Sequence, residues 1–413
     1  KHSGDVVKAG WEVKTLSEIT TKIGSGATPR GGQAAYKTKG VSLIRSLNVH
    51  DLWFKEKNLA FIDDEQAEAL SNAVVQSGDV LLNITGASIA RCCTAPDNKL
   101  PARVNQHVSI LRPDPKAVSS KYLSYMLTSK EQKDKLLGIG DDAGSTRQAL
   151  TKSHLQSYAI PLPPLEEQKR IVAVLDAAFE GLTRARAHVE TNLQSARELF
   201  AQGVEAVFDR LDPKSIKSKR LGSIVSRLTN GYVGPTRNIY FDEGIPYLLA
   251  RHVKNNRLRF DERTFISAEF NEKIKKSKLM AGDVLLVQSG HIGHCAVVPE
   301  EHEGHNCHAM IVLSAIPEIL TGQYLSAVLN TPTLQDHFQK IRTGSTVPHL
   351  TCKLVKEMML PIPDIGLQDE VVAKIDLLRS QVDETETHYR TKLQDLDDLR
   401  QSFLQKAFAG ELT

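Results

Sequence analysis

Nowhere in its 413 residues does the chain reach the roughly 18 consecutive apolar residues of a membrane span, and its start shows no signal-peptide core. Cysteine is scarce and odd in number: Cys92, Cys93, Cys295, Cys307 and Cys352 form no disulfide framework, which fits a reducing cytosol and predicts a cytoplasmic protein. No Gly-Lys-Ser/Thr phosphate loop occurs, so ATP-driven movement is not encoded here. A Gly-rich cofactor loop is missing, and so is the Asn/Asp-Pro-Pro-aromatic tetrad of adenine methyl transfer; the proline pair Pro163-Pro164 has leucine on both sides. Asp63-Asp64 and Asp141-Asp142 lack nuclease-like surroundings and read as solvated turns. These absences indicate binding without catalysis, with no catalytic residue and no cofactor of the chain's own.

What is present is written twice. Gly78-Asp79-Val80-Leu81-Leu82 returns as Gly282-Asp283-Val284-Leu285-Leu286, an offset of 204. At an offset of 200, Gly144-Ser145-Thr146 returns as Gly344-Ser345-Thr346, and Pro161-Leu162-Pro163 as Pro361-Ile362-Pro363. Gln168, Val172 and Asp176 recur as Gln368, Val372 and Asp376. Such a period is too long for a solenoid and suits one domain plus a long helix. Charge follows the same division. Residues 1–160 carry 21 Lys+Arg against 16 Asp+Glu, and residues 213–363 carry 19 against 13. The stretches between and after are acidic, 6 against 9 over 161–212 and 6 against 11 over 364–413. Two cationic bodies on anionic supports suit a polyanion held by the bodies alone.

The basic segments read as mixed, β-rich domains. Short β-prone runs (Val41–Ile44, Val80–Ile84, Val108–Leu111, Val284–Val287, Met310–Leu313) lie between Gly, Pro and Asn punctuation. Helices are expected at Asp64–Ser71, Ser119–Thr128 and Gly322–Asn330. Beyond each Pro-x-Pro exit an apolar heptad seam begins. It runs through Val172, Leu175, Phe179, Leu182 and Val189 in one half, and through Val372, Ile375, Val382 and Leu393 in the other. Neither helix can bury that stripe alone, so the two are expected to pack on each other. The expected fold class is α+β: two β-rich domains in pseudo-two-fold arrangement, joined by two long antiparallel coiled-coil helices. The boundaries read 1–163 for the first domain, 164–212 for the first helix, 213–363 for the second domain and 364–413 for the second helix. Arg186 and Glu386 hold equivalent seam positions with opposite charge, and a pairing between them would fix register.

On these residues the chain resembles a type I restriction-modification specificity subunit. The resemblance rests on Leu16-Ser17-Glu18-Ile19, Gly24-Ser25-Gly26-Ala27-Thr28-Pro29, both Gly-Asp-Val-Leu-Leu motifs, Ile160–Gln168 leading into a long helix, and the closing Ala407–Leu412. It implies two target-recognition domains that each read one block of an asymmetric, interrupted duplex DNA site, with the helices setting the gap. It also implies two methyltransferase (modification) subunits and restriction (motor-nuclease) subunits as partners, with no membrane. The assembled enzyme would use S-adenosylmethionine, and ATP with Mg²⁺. Asp364-Ile365-Gly366-Leu367-Gln368 departs from the Pro-Leu-Glu-Glu-Gln pattern, and only the glutamine persists. A DNA-modifying enzyme with an unrecognised site and a coiled-coil adaptor with basic protein-binding domains are the rival readings.

Base contacts must differ between the halves, so candidates are sought where aligned loops differ. Thr28 and Arg30 stand against Thr236 and Arg237, with Tyr232 nearby; Arg45 and Asn48 stand against Arg251, His252 and Lys254. Ser88 and Arg91 stand against His291 and His294, and Arg147 and Gln148 against Val347 and Pro348. Arginine reads guanine, and Asn or Gln reads adenine, through paired hydrogen bonds in the major groove. Tyr36 and Trp53 could stack on an extruded base, although Trp53 is expected in the core. His291, His294, Cys295, His302, His305, Cys307 and His308 crowd together at ligand-like spacings. The first half has only Cys92 and His107 as equivalents, so histidines touching DNA are preferred there to a metal site, and none is assigned.

Overall fold

Val80–Asn83 and Val284–Val287 are buried at every position, which is why the repeated Gly-Asp-Val-Leu-Leu motif shows no polar alternation. Each is an inner strand of a four-stranded antiparallel sheet covered on both faces. Val80 and Leu82 pack beneath the helix Ser120–Thr128, against Tyr122 and Met126, while Leu81 turns to a second core with Leu43, Ile62 and Val108. In the other half Val284 and Leu286 meet Tyr324 and Leu325, while Leu285 and Val287 meet Leu248 and Val298. The computed structural model describes residues 8–141, 149–254, 257–261, 263–343 and 348–412. It comprises two units, Lys1–Val189 with Thr391–Thr413, and Glu190–Arg390.

In the first unit the doubly covered sheet orders Thr20–Ser25, Val108–Pro113, Val80–Asn83 and Cys92–Thr94. Beside it Ala60–Ile62, Val41–Ile44, Ala102–Val104 and Val74–Val75 form a mixed sheet, with Ala102–Val104 parallel to Val41–Ile44. The second unit repeats this with Val225–Asn230, Met310–Ala315, Val284–Val287 and Cys295–Val297. Its smaller sheet has Phe265–Ile266, Ile245–Leu248 and Asn306–Cys307. The helix Gly322–Leu329 begins at its cap Thr321, and Ser120–Thr128 begins at Ser119, both where side-chain oxygens promise a start. Lys130–Asp141 and Pro332–Ile341 are helices with no counterpart in the expectations drawn from sequence.

The motif's aspartate has a structural task in both units. Asp79 is fully buried and accepts from the Gln76 N–H at 2.7 Å and from Arg112 Nε at 2.8 Å. Asp283 accepts from the Met280 N–H at 2.8 Å and from Ser314 Oγ at 2.5 Å, and pairs with Arg227. Arg112 comes from the neighbouring strand, whereas Arg227 comes from the strand beyond it, so one guanidinium position is filled from two places. Removing one partner of a buried pair leaves the other desolvated. Asp79→Ala is therefore expected to lower unfolding stability by about 3 kcal/mol. A urea melt monitored by Tyr and Trp fluorescence measures it, and a loss below about 1 kcal/mol would mean Arg112 finds water instead.

Each domain closes on itself before its helix starts. Glu12–Thr15 pairs antiparallel with Ala159–Leu162, and Lys217–Arg220 with Met359–Ile362. The glutamine common to both helix starts is buried and bonded identically. Gln168 Oε1 accepts from the Ser119 N–H at 2.9 Å while Nε2 donates to the Ala117 and Pro163 carbonyls at 3.0 and 2.9 Å. Gln368 makes the same three bonds to Thr321, Ile319 and Pro363. Only a carboxamide both donates and accepts in this geometry, which explains why it alone persists in the second half.

The long helices are Leu165–Asp209 and Ile365–Phe408. At 1.5 Å per residue each is roughly 65–70 Å long. Within each unit their segments run antiparallel: Phe179 lies against Arg400 and Arg186 against Asp397 in one, Arg197 against Glu386 and Phe200 against Arg379 in the other. Gly203 lies 3.3 Å, measured from an ideal Cβ, from Leu378 Cδ1, so a larger residue would press on that leucine. Arg186 and Glu386 do not pair with each other as the sequence suggested; an antiparallel register gives each a different partner, Asp397 and Arg197.

Candidate nucleic-acid interface

At one edge of the first unit, loops from both sheets are tied together. The Gly26 N–H donates to the Asn105 carbonyl at 3.2 Å, and a Cβ there would lie 1.8 Å from the Val104 carbonyl oxygen, so only glycine fits. Thr28 Oγ1 donates to Gln106 Oε1 at 2.5 Å. Gln106 Nε2 meets His107 Nε2 at 3.2 Å, and His107 Nδ1 meets Thr85 Oγ1 at 2.6 Å. Asn83 Nδ2 donates to the Ser46 carbonyl at 2.9 Å and to Ser88 Oγ at 3.1 Å. The Leu150 N–H donates to the Ile84 carbonyl at 2.9 Å, which brings the chain after residue 148 to the same edge.

Thr28 and Ser88 are thus neighbours of this polar chain, and Arg30 stands exposed beyond it. Arg45 is half-buried, with its guanidinium 5.1 Å from the Tyr36 ring and Nη2 donating to the Asn58 carbonyl at 2.5 Å. Asn48 must be withdrawn as a base-reading residue. It is fully buried, accepting from the Arg45 N–H at 3.1 Å and donating to the Lys55 carbonyl at 2.9 Å. Trp53 is not a core residue either; it is 52% exposed and stacks on His50 at 4.2 Å. Burial, then the nearby Arg91 charge, hold the His50 imidazole below its usual pKa. Arg147 and Gln148 lie outside the described residues.

The second unit builds the same edge from other side chains. The Gly231 N–H donates to the Met310 carbonyl at 2.8 Å, and a Cβ there would meet the Cys307 carbonyl oxygen at 2.5 Å. The Tyr232 N–H donates to the Cys307 carbonyl at 2.9 Å and the Leu350 N–H to the Gln288 carbonyl at 2.8 Å. Tyr232 and Tyr247 each place a ring 6.3 Å from His308, whose Nδ1 is buried without a partner among the described residues. Arg237 and His291 are exposed, Thr236 is half-buried, and His294 stacks on His291 at 5.5 Å. Burial and then His291 keep the His294 ring below its usual pKa, so at neutral pH it is an uncharged donor and acceptor. Arg251 donates to Thr264 Oγ1 at 2.5 Å. His252 is withdrawn for the same reason as Asn48: it is buried, accepts from the Leu249 N–H at 3.0 Å and packs on Phe260. The Lys254 side chain lies outside what is described.

The crowd of histidines and cysteines is distributed over separate surroundings. Cys295 and Cys307 sit in different cores, where burial pushes both thiols up to about 12. His302 and His305 face each other through Nδ1 at 3.1 Å, away from the stacked His291–His294 pair. Among the described residues no group of three potential ligands converges. Sequence reasoning missed Gln106 and Thr85, and named His107 only as a counterpart of the histidine cluster. Gln106 and His107 lie on a turn and Thr85 in a bridge to Ala149, and only the strand pairing brings them to Thr28.

Two β-rich units, each presenting a polar loop edge of the same frame and different chemistry, define a binding protein with two non-identical heads. The chain belongs to the type I restriction-modification family: the type I restriction modification DNA specificity domain matches residues 8–190 and again residues 213–394. It is a DNA-specificity subunit and not an enzyme by itself. It is 23% identical to the type I restriction enzyme EcoKI specificity subunit of Escherichia coli K12 over 98% of this chain and 89% of that one. It is 24% identical to the MjaIX specificity subunit of Methanocaldococcus jannaschii over 97% and 93%. A chain from a type I R-M system, solved in work on complex assembly and conformational transition, shares the fold with a TM-score of 0.71 at 21% identity, over 98% of this chain and 99% of that one. The HsdS subunit from Thermoanaerobacter tengcongensis gives 0.51 at 20% identity, over 99% of both chains.

Proposed function

We propose that this chain reads an asymmetric, bipartite site on double-stranded DNA, each β-rich domain taking one block. The observation that carries this reading is the shared loop edge with unlike side chains. In this reading Thr28, Arg30, Arg45, Ser88 and Arg91 are the readers in one unit, and Tyr232, Thr236, Arg237, Arg251, His291 and His294 in the other. A common frame suits contacts to the regular phosphate backbone, and unlike side chains suit different base edges. In this reading two methyltransferase subunits and the restriction subunits assemble on the chain in the cytoplasm, and the acidic helices hold the unread gap. No helix among the described residues is long and apolar enough to cross a membrane.

The complex with the methyltransferase subunit is expected to methylate DNA, and the isolated chain is not. Binding by the complex is expected to weaken about 10³-fold or more between 50 and 200 mM salt, the counterion release of six or more phosphate contacts. Fluorescence anisotropy over a salt series, with tritiated methyl transfer in parallel, tests both. Methyl transfer by the partner-free chain overturns the division of labour, and salt-insensitive binding favours a protein-binding adaptor.

A further inference from the structure

Two ion pairs between the long helices, one in each unit, are sorted by helix, and the Glu386 carboxylate is shared with Arg390 of its own helix at 2.8 Å. Arg186 donates to Asp397 at 2.5 Å in one unit, and Arg197 donates to Glu386 at 2.8 Å in the other. Under the repeat offset of 200, Arg186 is the counterpart of Glu386, and Arg197 of Asp397. Both bases therefore stand on the first helix and both acids on the second. A second set of contacts is sorted likewise. Arg400 lies over Phe179 at 4.7 Å and Arg379 over Phe200 at 5.1 Å, with both rings on the first helix and both guanidiniums on the second.

Either helix offers an apolar seam, so burial alone does not decide between a like and an unlike partner. Charge does. If the first helix paired with a second copy of itself in this register, Arg186 would face Arg197 twice. If the second helix did so, Glu386 would face Asp397 and Arg379 would face Arg400. Like charges at facing positions are the means by which coiled coils refuse a partner. The Arg186–Asp397 pair is too exposed to add much stability, at 38% and 58% exposure, so its effect falls on the choice of partner. We propose that the helix seam is a partner-selecting surface: it accepts the opposite half of this chain and rejects a second copy of the same half.

Reversing one pair separates selection from stability. R186E/D397R keeps an ion pair at that position within the chain and leaves Arg197–Glu386 intact. It also gives each helix one acid and one base, so that each becomes complementary to its own copy. Two differently tagged full-length copies are co-expressed, one tag is captured, and the mass of the captured species is measured by light scattering. Wild type is expected to bring down the second tag at background level, and R186E/D397R several-fold more, with dimer or larger mass. The mirror variant R197E/E386R is expected to do the same, and it carries the test if the first does not fold by circular dichroism. Combining both reversals puts the acids of both pairs on the first helix and their bases on the second, and is expected to return capture to background. Single reversals indistinguishable from wild type, a wild type that exchanges as freely as they do, or a fourfold variant that still exchanges would each overturn the proposal.

Discussion

Four residues inserted after Glu190 in the first long helix, together with four after Arg390 in the second, are expected to widen the unread gap and leave both blocks unchanged. The insertions fall between Arg186 and Arg197 on one helix and between Glu386 and Asp397 on the other, so the Arg186–Asp397 and Arg197–Glu386 pairs keep their partners. Each adds about 6 Å at 1.5 Å per residue and turns the downstream part of its helix by about 40° beyond a full turn. Duplex DNA advances about 3.4 Å and turns about 35° per base pair, so the added path corresponds to one to two base pairs. Methylation of the original site is expected to fall to background and to reappear at the wider spacing, read by methylome sequencing of a strain carrying the variant. A two-residue pair of insertions turns the seam by about 200° and is expected to abolish activity at every spacing. An active four-residue variant that keeps the original spacing would show that the helices do not measure the distance.

Substitutions at the loop edges are expected to act on one half of the site only. Arg30→Ala and Arg91→Ala should relax or abolish the first block, and Arg237→Ala and Arg251→Ala the second. A side chain paired with a base edge is worth about 1–3 kcal/mol, or about fivefold to more than a hundredfold in discrimination. A phosphate contact would weaken all sequences equally and lower the salt slope by about one. Competition binding of the complex against a panel of single-base variants distinguishes the two. Asn48→Ala serves as a control, because its carboxamide is used inside the domain and its loss should lower stability without changing the bases preferred. A first-domain substitution that altered the second block would refute the assignment of one block to each domain.

What was legible in the sequence was whatever a period or a punctuation mark encodes. The motif strands, the capped helices Ser120–Thr128 and Gly322–Leu329, and the long helices all arise from local residue choice. The partners across the helix pair were not legible. The seam positions of Arg186 and Glu386 are plain, but their partners depend on where the antiparallel register centres, a tertiary fact. The loop edge divides similarly. Arg30 and Arg237 are exposed as surface arginines should be, yet Asn48 and His252 have been drawn inward to hold the short turns Ser46–Asn48 and Ala250–His252. Both sit third in a turn whose preceding backbone N–H, that of Arg45 or Leu249, needs an acceptor, a demand local to the fold and silent in composition. Trp53 was misplaced because a lone tryptophan is usually core, whereas a tight hairpin with Leu52 at φ +64° turns this one outward.

The strand pairs that close each domain bring its two ends side by side, Thr15 opposite Ala159 and Arg220 opposite Met359. Everything between those ends is, topologically, a long loop leaving and returning at one place. The buried glutamine then locks that place to its helix by the same three bonds in both halves. A replacement stretch keeps the joint in place where it supplies two paired edges, the backbone N–H and carbonyl that the glutamine binds, and a tyrosine hydroxyl for the closing strand. A change of specificity is thus open to exchange of a finished part as well as to remodelling of the contact loops.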